Sequence, residues 1–459
     1  MKRLSILIVL LFISIAAFSQ NLNFQKSFKD AVEKANKSGK LIFIEIDAPP
    51  HPHPFPFTTA LDKPEVTSYY NNTFINYKAI VTDTAAIAPL KDYNIGTTFP
   101  CYLFVDNKLS LVYRETWNSS KTERYLNMAE KALAAVKSGR TISNYQEKYK
   151  AGNTGKEFLK DYITLREELG LYDNAKLIDQ YVDQLTVKSF DDYQEVLFIL
   201  KAGPYVYGKA YTFGHTNKKI TDSIYKYEPL DVRVAINDRM ADNTQKEAIK
   251  THNLNMAMQA ANMVRATWSR DYRKGSRAYT SRMLSYYLGI KDTTTYYQQA
   301  TFFYDAYYMN ISADSAKKRQ QEMLDQMKKK AEARLVAKPL NTPAADTLHK
   351  RIRVYQSISE PSSVVASTLN NAAYQFYTLG TRNPNYLAKA MLWSRRSLEL
   401  SENEAYYDTL AHILYRLGFY DEAQVTQNKA VEMAKKNNTD PVSLGRYKEE
   451  LTKMKQRKL

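Results

Sequence analysis

The sequence predicts an α/β domain on the N-terminal side followed by an all-α helical-repeat region. Three observations carry that prediction. Two apolar, strand-like runs, Leu41–Ile46 and Tyr102–Val105, lie in one stretch punctuated by glycine and proline. From residue 141 onward helical periodicity dominates, with segments of 10 to 20 residues and short connections. Near the C-terminus a helix–turn–helix pattern occurs twice. A chain of 459 residues exceeds what one core usually serves, so more than one domain is expected.

Residues 1–19 stand apart. Lys2 and Arg3 precede the apolar run Leu4–Ile15, and Ala17 and Ser19 supply small residues before Gln20. This is the pattern of a secretory leader cleaved near Ser19 and Gln20. The run is shorter than the roughly 20 residues a membrane span needs, and no cysteine follows to carry a lipid. The expectation is an exported chain, periplasmic or secreted, with no membrane span after cleavage. Removing Lys2 and Arg3 lowers the formal charge from +17 to +15. For an exported protein such a balance reads either as a generally basic, lysine-rich surface with no specific partner, or as one that meets acidic polymers, lipid head groups or acidic proteins rather than nucleic acid.

Residues 20–140 read as follows. Phe24, Phe28, Ala31, Val32 and Ala35 fall on one helical face, and Gly39 closes that helix. The strand Leu41–Ile46 comes next. Lys63–Tyr70 is a helix with Pro64 in its first turn, Phe74–Val81 a second strand, and Thr84–Tyr93 a short helix ending at Asn94. Gly96-Thr-Thr-Phe-Pro100 leads into Tyr102–Val105, whose hairpin partner is Leu109–Tyr113 across Asp106-Asn107-Lys108. Ser120-Lys-Thr-Glu123 has the capping-box spacing, and Leu126, Ala129, Leu133 and Val136 continue one face to Ser138.

This order of elements, with Phe99-Pro100 and the frame Pro64-Glu65-Val66, Tyr70, Asn72 and Phe74, resembles the thioredoxin fold of exported bacterial proteins. The resemblance spans about a quarter of the chain. It implies a Cys-x-x-Cys after the first strand, faced by a cis-proline. The corresponding stretch here is Ala48-Pro-Pro-His51-Pro-His53-Pro-Phe55-Pro56, with no cysteine. Disulfide exchange needs an attacking thiolate and a second thiol to resolve the mixed disulfide. The resemblance therefore brings a fold without its usual chemistry.

Cys101, the single cysteine, follows Pro100 directly. It reads either as a monothiol that traps a partner, the one catalytic candidate, or as a small packing residue. His51 and His53 would project to the same side of an extended loop. They read as metal ligands, completed by Asp47, Glu45 or Asp62, or as solvated imidazoles on a polyproline-like segment. In a third reading the loop, tipped by Phe55 and Phe57 and facing Pro100, docks a partner. No cofactor is expected.

Residues 141–340 read as helical hairpins. Phe158–Leu169, Tyr172–Leu185, Tyr193–Lys201, Lys246–Thr267 and Tyr296–Met309 are the clearest segments, and Gly203–Gly208 with Tyr211–His215 reads as one aromatic loop. Asp314–Arg334 is a highly charged helix, and Pro339 and Pro343 mark a linker. No phosphate loop, nucleophile elbow or metal-ligand helix motif occurs.

Residues 341–437 hold the repeat pair. In Glu404–Asn437, Tyr407, Leu410, Ala411, Leu414, Gly418, Tyr420, Ala423 and Ala430 follow a 34-residue helix–turn–helix pattern. Leu369, Ala373, Phe376, Gly380, Ala390 and Ser397 form an earlier copy with a turn about five residues longer. The pattern resembles the tetratricopeptide (TPR) repeat. That resemblance implies a peptide-binding concave face built from first helices, with Asn370, Asn371, Tyr374, Asp408 and His412 as candidates, or else a short terminal repeat that only caps a solenoid. Residues 438–459 read as a basic C-terminal helix and tail, frayed from Lys448. The function expected is that of an exported, non-catalytic scaffold for a protein or peptide partner in the cell envelope. The alternatives are monothiol oxidoreduction or chaperone-like capture through Cys101, and metal binding at His51 and His53.

Overall fold

The computed structural model describes residues 21–48, 59–96, 98–268, 270–312, 314–315, 318, 321–322, 325 and 363–459. The leader, the loop carrying His51, His53, Phe55 and Phe57, most of the charged helix and the linker prolines lie outside the described residues. The chain forms two compact units, residues 1–243 and 244–459.

The first unit is built on a mixed five-stranded sheet. Its strands are β1 (Phe24–Gln25), β2 (Ile42–Asp47), β3 (Ile75–Ile80), β4 (Cys101–Val105) and β5 (Leu111–Glu115), in the order β1-β3-β2-β4-β5. Strand β3 runs parallel to both β1 and β2, whereas β4 is antiparallel to β2 and β5. The central strand β2 buries side chains on both faces because both are covered. Phe43, Tyr102 and Phe104 face Val66 and Tyr70 of α2 (Pro64–Thr73) and Tyr125 and Met128 of α4 (Thr122–Ser138). Ile42, Ile44, Ile46, Cys101 and Leu103 point the other way. They meet Phe28, Ala31 and Ala35 of α1 (Phe28–Ser38) and a layer that continues beyond residue 140.

Several local expectations change. Phe24 does not begin the first helix. Ser27 caps α1 by accepting from the Asp30 amide at 3.1 Å, which leaves Phe24 free to pair beside Asn76 as an edge strand. The hairpin turn is longer than Asp106–Lys108. Asp106 Oδ1 accepts from the amides of Lys108 and Ser110, and Leu109 takes a left-handed φ of 62°, so β5 starts at Leu111. The Ser120 capping box does not form. Lys121 is the cap residue of α4 and has no side-chain cap bond, and the buried stripe is Tyr125, Met128, Ala129 and Ala132.

After α3 (Thr84–Ile87) and a 3₁₀ turn at Ala88–Tyr93, the unit adds α5 (Ile142–Lys150), α6 (Lys156–Glu168) and α7 (Ala175–Val182). It continues with α8 (Tyr193–Lys201), α9 (Lys209–Gly214) and α10 (Lys218–Tyr227), and closes within α11 (Leu230–Thr251). Ile142, Leu159, Ile163, Ile178, Tyr181 and Ile199 share the core of the sheet's second face. The segment read as one aromatic loop contains α9, whose Gly214 packs closely on Ile199 and Leu200.

The second unit is helical throughout its described residues. Its elements are the end of α11, then α12 (Leu254–Ala266), α13 (Tyr272–Gly289) and α14 (Thr293–Tyr304), which runs into a π-helical turn at Asp305–Met309. The single helix expected over Lys246–Thr267 is broken at His252, where φ is 53°, and Asn253 caps α12. Beyond the undescribed stretch come α15 (Ser363–Thr378), α16 (Pro384–Leu400), α17 (Glu404–Arg416), α18 (Tyr420–Lys436) and α19 (Pro441–Lys455).

The two hairpins α15–α16 and α17–α18 coincide with the repeat pair. Ala373 and Ala390 are buried in one and Ala411 and Ala423 in the other, which lets backbones approach. Only two of the five extra residues lie in the turn, Leu379–Asn383 against Leu417–Phe419. The others place Ala390 about one helical turn deeper in α16 than Ala423 is in α18. The tail is not frayed at Lys448. Tyr447, Leu451 and Met454 of α19 are buried against Val431, Ala434, Ala411 and Ala423.

Candidate functional site

Two sites come from the sequence-predicted residues, one in each unit. In the first unit, the cis peptide Phe99-Pro100 enters β4 beside the C-terminal end of β2. Pro100 is half-buried, whereas Cys101 is completely buried on the sheet face that packs on α1. Burial pushes the Cys101 thiol above its ordinary pKa, only partly offset by the nearby Arg114 guanidinium. A buried, protonated thiol is a poor nucleophile.

On the opposite face lies a feature that sequence reasoning weighed only for metal. Glu45 is the one charged residue inside β2's buried run, with its side chain 8% exposed. Lys78 of β3 lies 3.3 Å from Glu45 and 2.7 Å from Asp47. Burial, reinforced by the Asp47 charge, raises the Glu45 pKa from 4.5 to about 7 against the opposing pull of Lys78. Tyr102, the cross-strand neighbour of Glu45, packs on Trp117 and Tyr125, and the Tyr125 hydroxyl bonds Asn118 and Thr59. This arrangement can exchange a proton near neutrality beneath the end of the sheet. Among the described residues no three His, Cys, Asp or Glu side chains converge as metal ligands.

In the second unit, α15 and α17 carry the other candidates. Asn371 and Tyr374 are exposed, Tyr374 at 48%. Tyr374 stacks on Tyr377, whose ring lies 3.7 Å beneath the Arg416 guanidinium, and Arg416 also donates to the Tyr377 carbonyl. Asn370 is buried, and its Oδ1 has no hydrogen-bond partner among the described residues. Asp408 and His412 are largely buried. His412 Nδ1 lies 2.7 Å from the Asp408 carbonyl and its Nε2 3.2 Å from Glu450 of α19, and Gln427 donates to Asp408 at 2.8 Å.

The structure thus splits the five candidates. Asn371 and Tyr374 face solvent, whereas Asp408 and His412 tie α17 to α18 and α19. Arg416, Gln427 and Glu450 escaped the sequence reading because their partners sit 19 to 39 residues away in sequence. Glu45 left a signal, a carboxylate inside the apolar run Ile42–Ile46. No protein-family model matches this chain, and no curated protein matches it in sequence.

Proposed function

We propose that the chain is an exported, non-catalytic interaction protein that joins a redox-inactive thioredoxin-like module to TPR-like helical hairpins and binds a protein or peptide. The observation that carries this reading is the face of α15 that presents Asn371 and Tyr374. There a solvent-exposed aromatic stacks on Tyr377, itself clamped by Arg416. A half-exposed tyrosine offers apolar contact area with a polar tip, which suits it as a binding anchor. The thioredoxin-like assignment is supported by the strand order, with β2 between parallel β3 and antiparallel β4. The TPR-like assignment is supported by paired hairpins with buried alanines at their crossings. Cys101, enclosed with its thiol protonated, speaks against monothiol exchange.

The test is cross-linked capture of envelope partners by the full chain, by Cys101→Ala and by Asn371→Ala with Tyr374→Ala. A partner retained by Cys101→Ala and lost from the double variant supports the proposal. Loss in Cys101→Ala alone would sink it in favour of thiol chemistry.

A further inference from the structure

The ends of three helices in the second unit gather cations and exposed aromatics on one surface. Helix α12 ends in Arg265 and leads through Trp268 and Arg270 to Asp271, the cap of α13, which opens Tyr272-Arg273-Lys274 with Arg277 one turn on. Gly275 makes the close turn feasible. A Cβ there would meet the Arg265 carbonyl at 3.0 Å and the Trp268 side chain at 3.4 Å. The end of α14 joins the same surface, since Arg273 donates to the Ala306 carbonyl at 3.3 Å and its guanidinium lies 5.9 Å from the Tyr307 ring. Phe302, near the end of α14 and four residues before Ala306, is exposed.

Three large aromatics therefore stand out of this surface: Trp268 at 42%, Tyr272 at 84% and Phe302 at 74% exposure. Around them are Arg265, Arg270, Arg273, Lys274 and Arg277, against Asp271 as the carboxylate among the described residues of these helix ends, which is paired with Lys274 at 3.0 Å. The neighbouring carboxylate Asp305 is already neutralised, accepting from Lys389 at 2.6 Å and from the Trp393 indole at 2.9 Å. Among the described residues the surface is strongly positive, and none of them covers its aromatic groups enough to bury them.

We propose that this surface docks the chain peripherally on an anionic lipid bilayer. Positive side chains are attracted to acidic head groups, and Trp and Tyr sit favourably at the depth where head groups meet acyl chains. Phe302, which has no polar handle, gains from the acyl region what it cannot gain from a hydrated polyanion. Arginine and lysine stems lie along apolar surface while their heads reach phosphate, so one patch serves both contacts. No helix among the described residues is long and apolar enough to cross a membrane, so the contact is interfacial and not spanning.

The experiment is co-sedimentation of the full chain with vesicles of phosphatidylglycerol and phosphatidylcholine in equal parts, with pure phosphatidylcholine as the reference. Indole emission is recorded on the same samples. The charge variant is Arg270→Ser, Arg273→Ser, Arg277→Ser; the aromatic variant is Trp268→Ala, Tyr272→Ala, Phe302→Ala. Circular dichroism establishes that both fold. Binding to anionic vesicles is expected to fall about a hundredfold in the charge variant, at roughly 1 kcal/mol per lost cation. It also falls in the aromatic variant. The indole emission of the unaltered chain shifts to the blue on binding, and Trp268→Phe abolishes that shift while still binding. No preference for anionic vesicles overturns the proposal. So does binding that survives both variants, or a single-stranded RNA oligonucleotide bound as tightly as the vesicles through the same residues.

Discussion

Replacing Glu45 with glutamine should remove that residue's own contribution to the pH dependence of stability of the sheet-containing unit between pH 4.5 and pH 8. In the folded chain burial holds the Glu45 carboxyl at about 7, whereas the exposed residue titrates near 4.5. The folded state therefore binds the proton more tightly than the unfolded state. Below pH 4.5 both states are protonated and the full preference for the folded chain is present. As pH rises through 7 the folded carboxylate ionises inside the sheet and that preference is lost. At 1.36 kcal/mol per pKa unit the contribution is about 3 kcal/mol, and little discount for solvent is needed because the side chain is 8% exposed.

Glutamine cannot ionise, and Lys78 keeps Asp47 at 2.7 Å. Glu45→Gln should therefore match the unaltered chain at pH 4.5 and exceed it by up to about 3 kcal/mol at pH 8. Urea unfolding at a series of pH values measures this directly. The difference between the two proteins cancels groups common to both, Glu167 among them, whose pKa is also raised by burial. Identical pH profiles would mean that the attraction of Lys78 balances the burial of Glu45, and the electrostatic account of this site would be refuted.

Other expectations follow from single contacts. Cys101 should react with iodoacetamide at least roughly a hundredfold more slowly in the native chain than in urea, because its enclosed thiol is held protonated; equal rates would show an accessible thiol. Gly203→Ala should cost about 1–3 kcal/mol in unfolding free energy, since Gly203 has φ of 72° and an added Cβ would lie 2.8 Å from Arg239 Cβ. Met454→Ala should destabilise the second unit by about 2–5 kcal/mol, as Met454 is fully buried with Ala411 and Ala423. A neutral result in thermal unfolding would mean that α19 does not contribute to the core. Trp393→Ala should cost about 3–5 kcal/mol by the same measurement, because the indole is enclosed by Tyr304 and Phe376.

Local patterns in the sequence determined much of this protein. The apolar run through Ile42–Ile46, the glycine stop at Gly39, the proline start at Pro64 and the spacing of Ala411, Ala423 and Ala430 all act within one element or one hairpin. Backbone propensity and side-chain periodicity govern that range, so strand and helix positions and the α/β-then-helical order were legible. The same patterns located Pro100, Cys101 and the α15–α17 candidates as residues of interest.

Tertiary structure decided the rest, and for a consistent reason. Whether a residue is buried or offered to solvent depends on partners contributed by distant segments. Cys101 is closed off by α1 and by helices past residue 140, which no feature of its own neighbourhood announces. His412 meets Glu450 across 38 residues, so an imidazole that reads as a peptide-contacting residue of α17 is a tie to α19. Glu45 becomes a near-neutral acid because α2, α4 and the neighbouring strands bury it beside Asp47, against the opposing pull of Lys78. The cations and aromatics between Arg265 and Phe302 form one surface only because α13 and α14 fold back on each other. Desolvation and charge pairing are set by three-dimensional packing, and sequence separation carries no record of them.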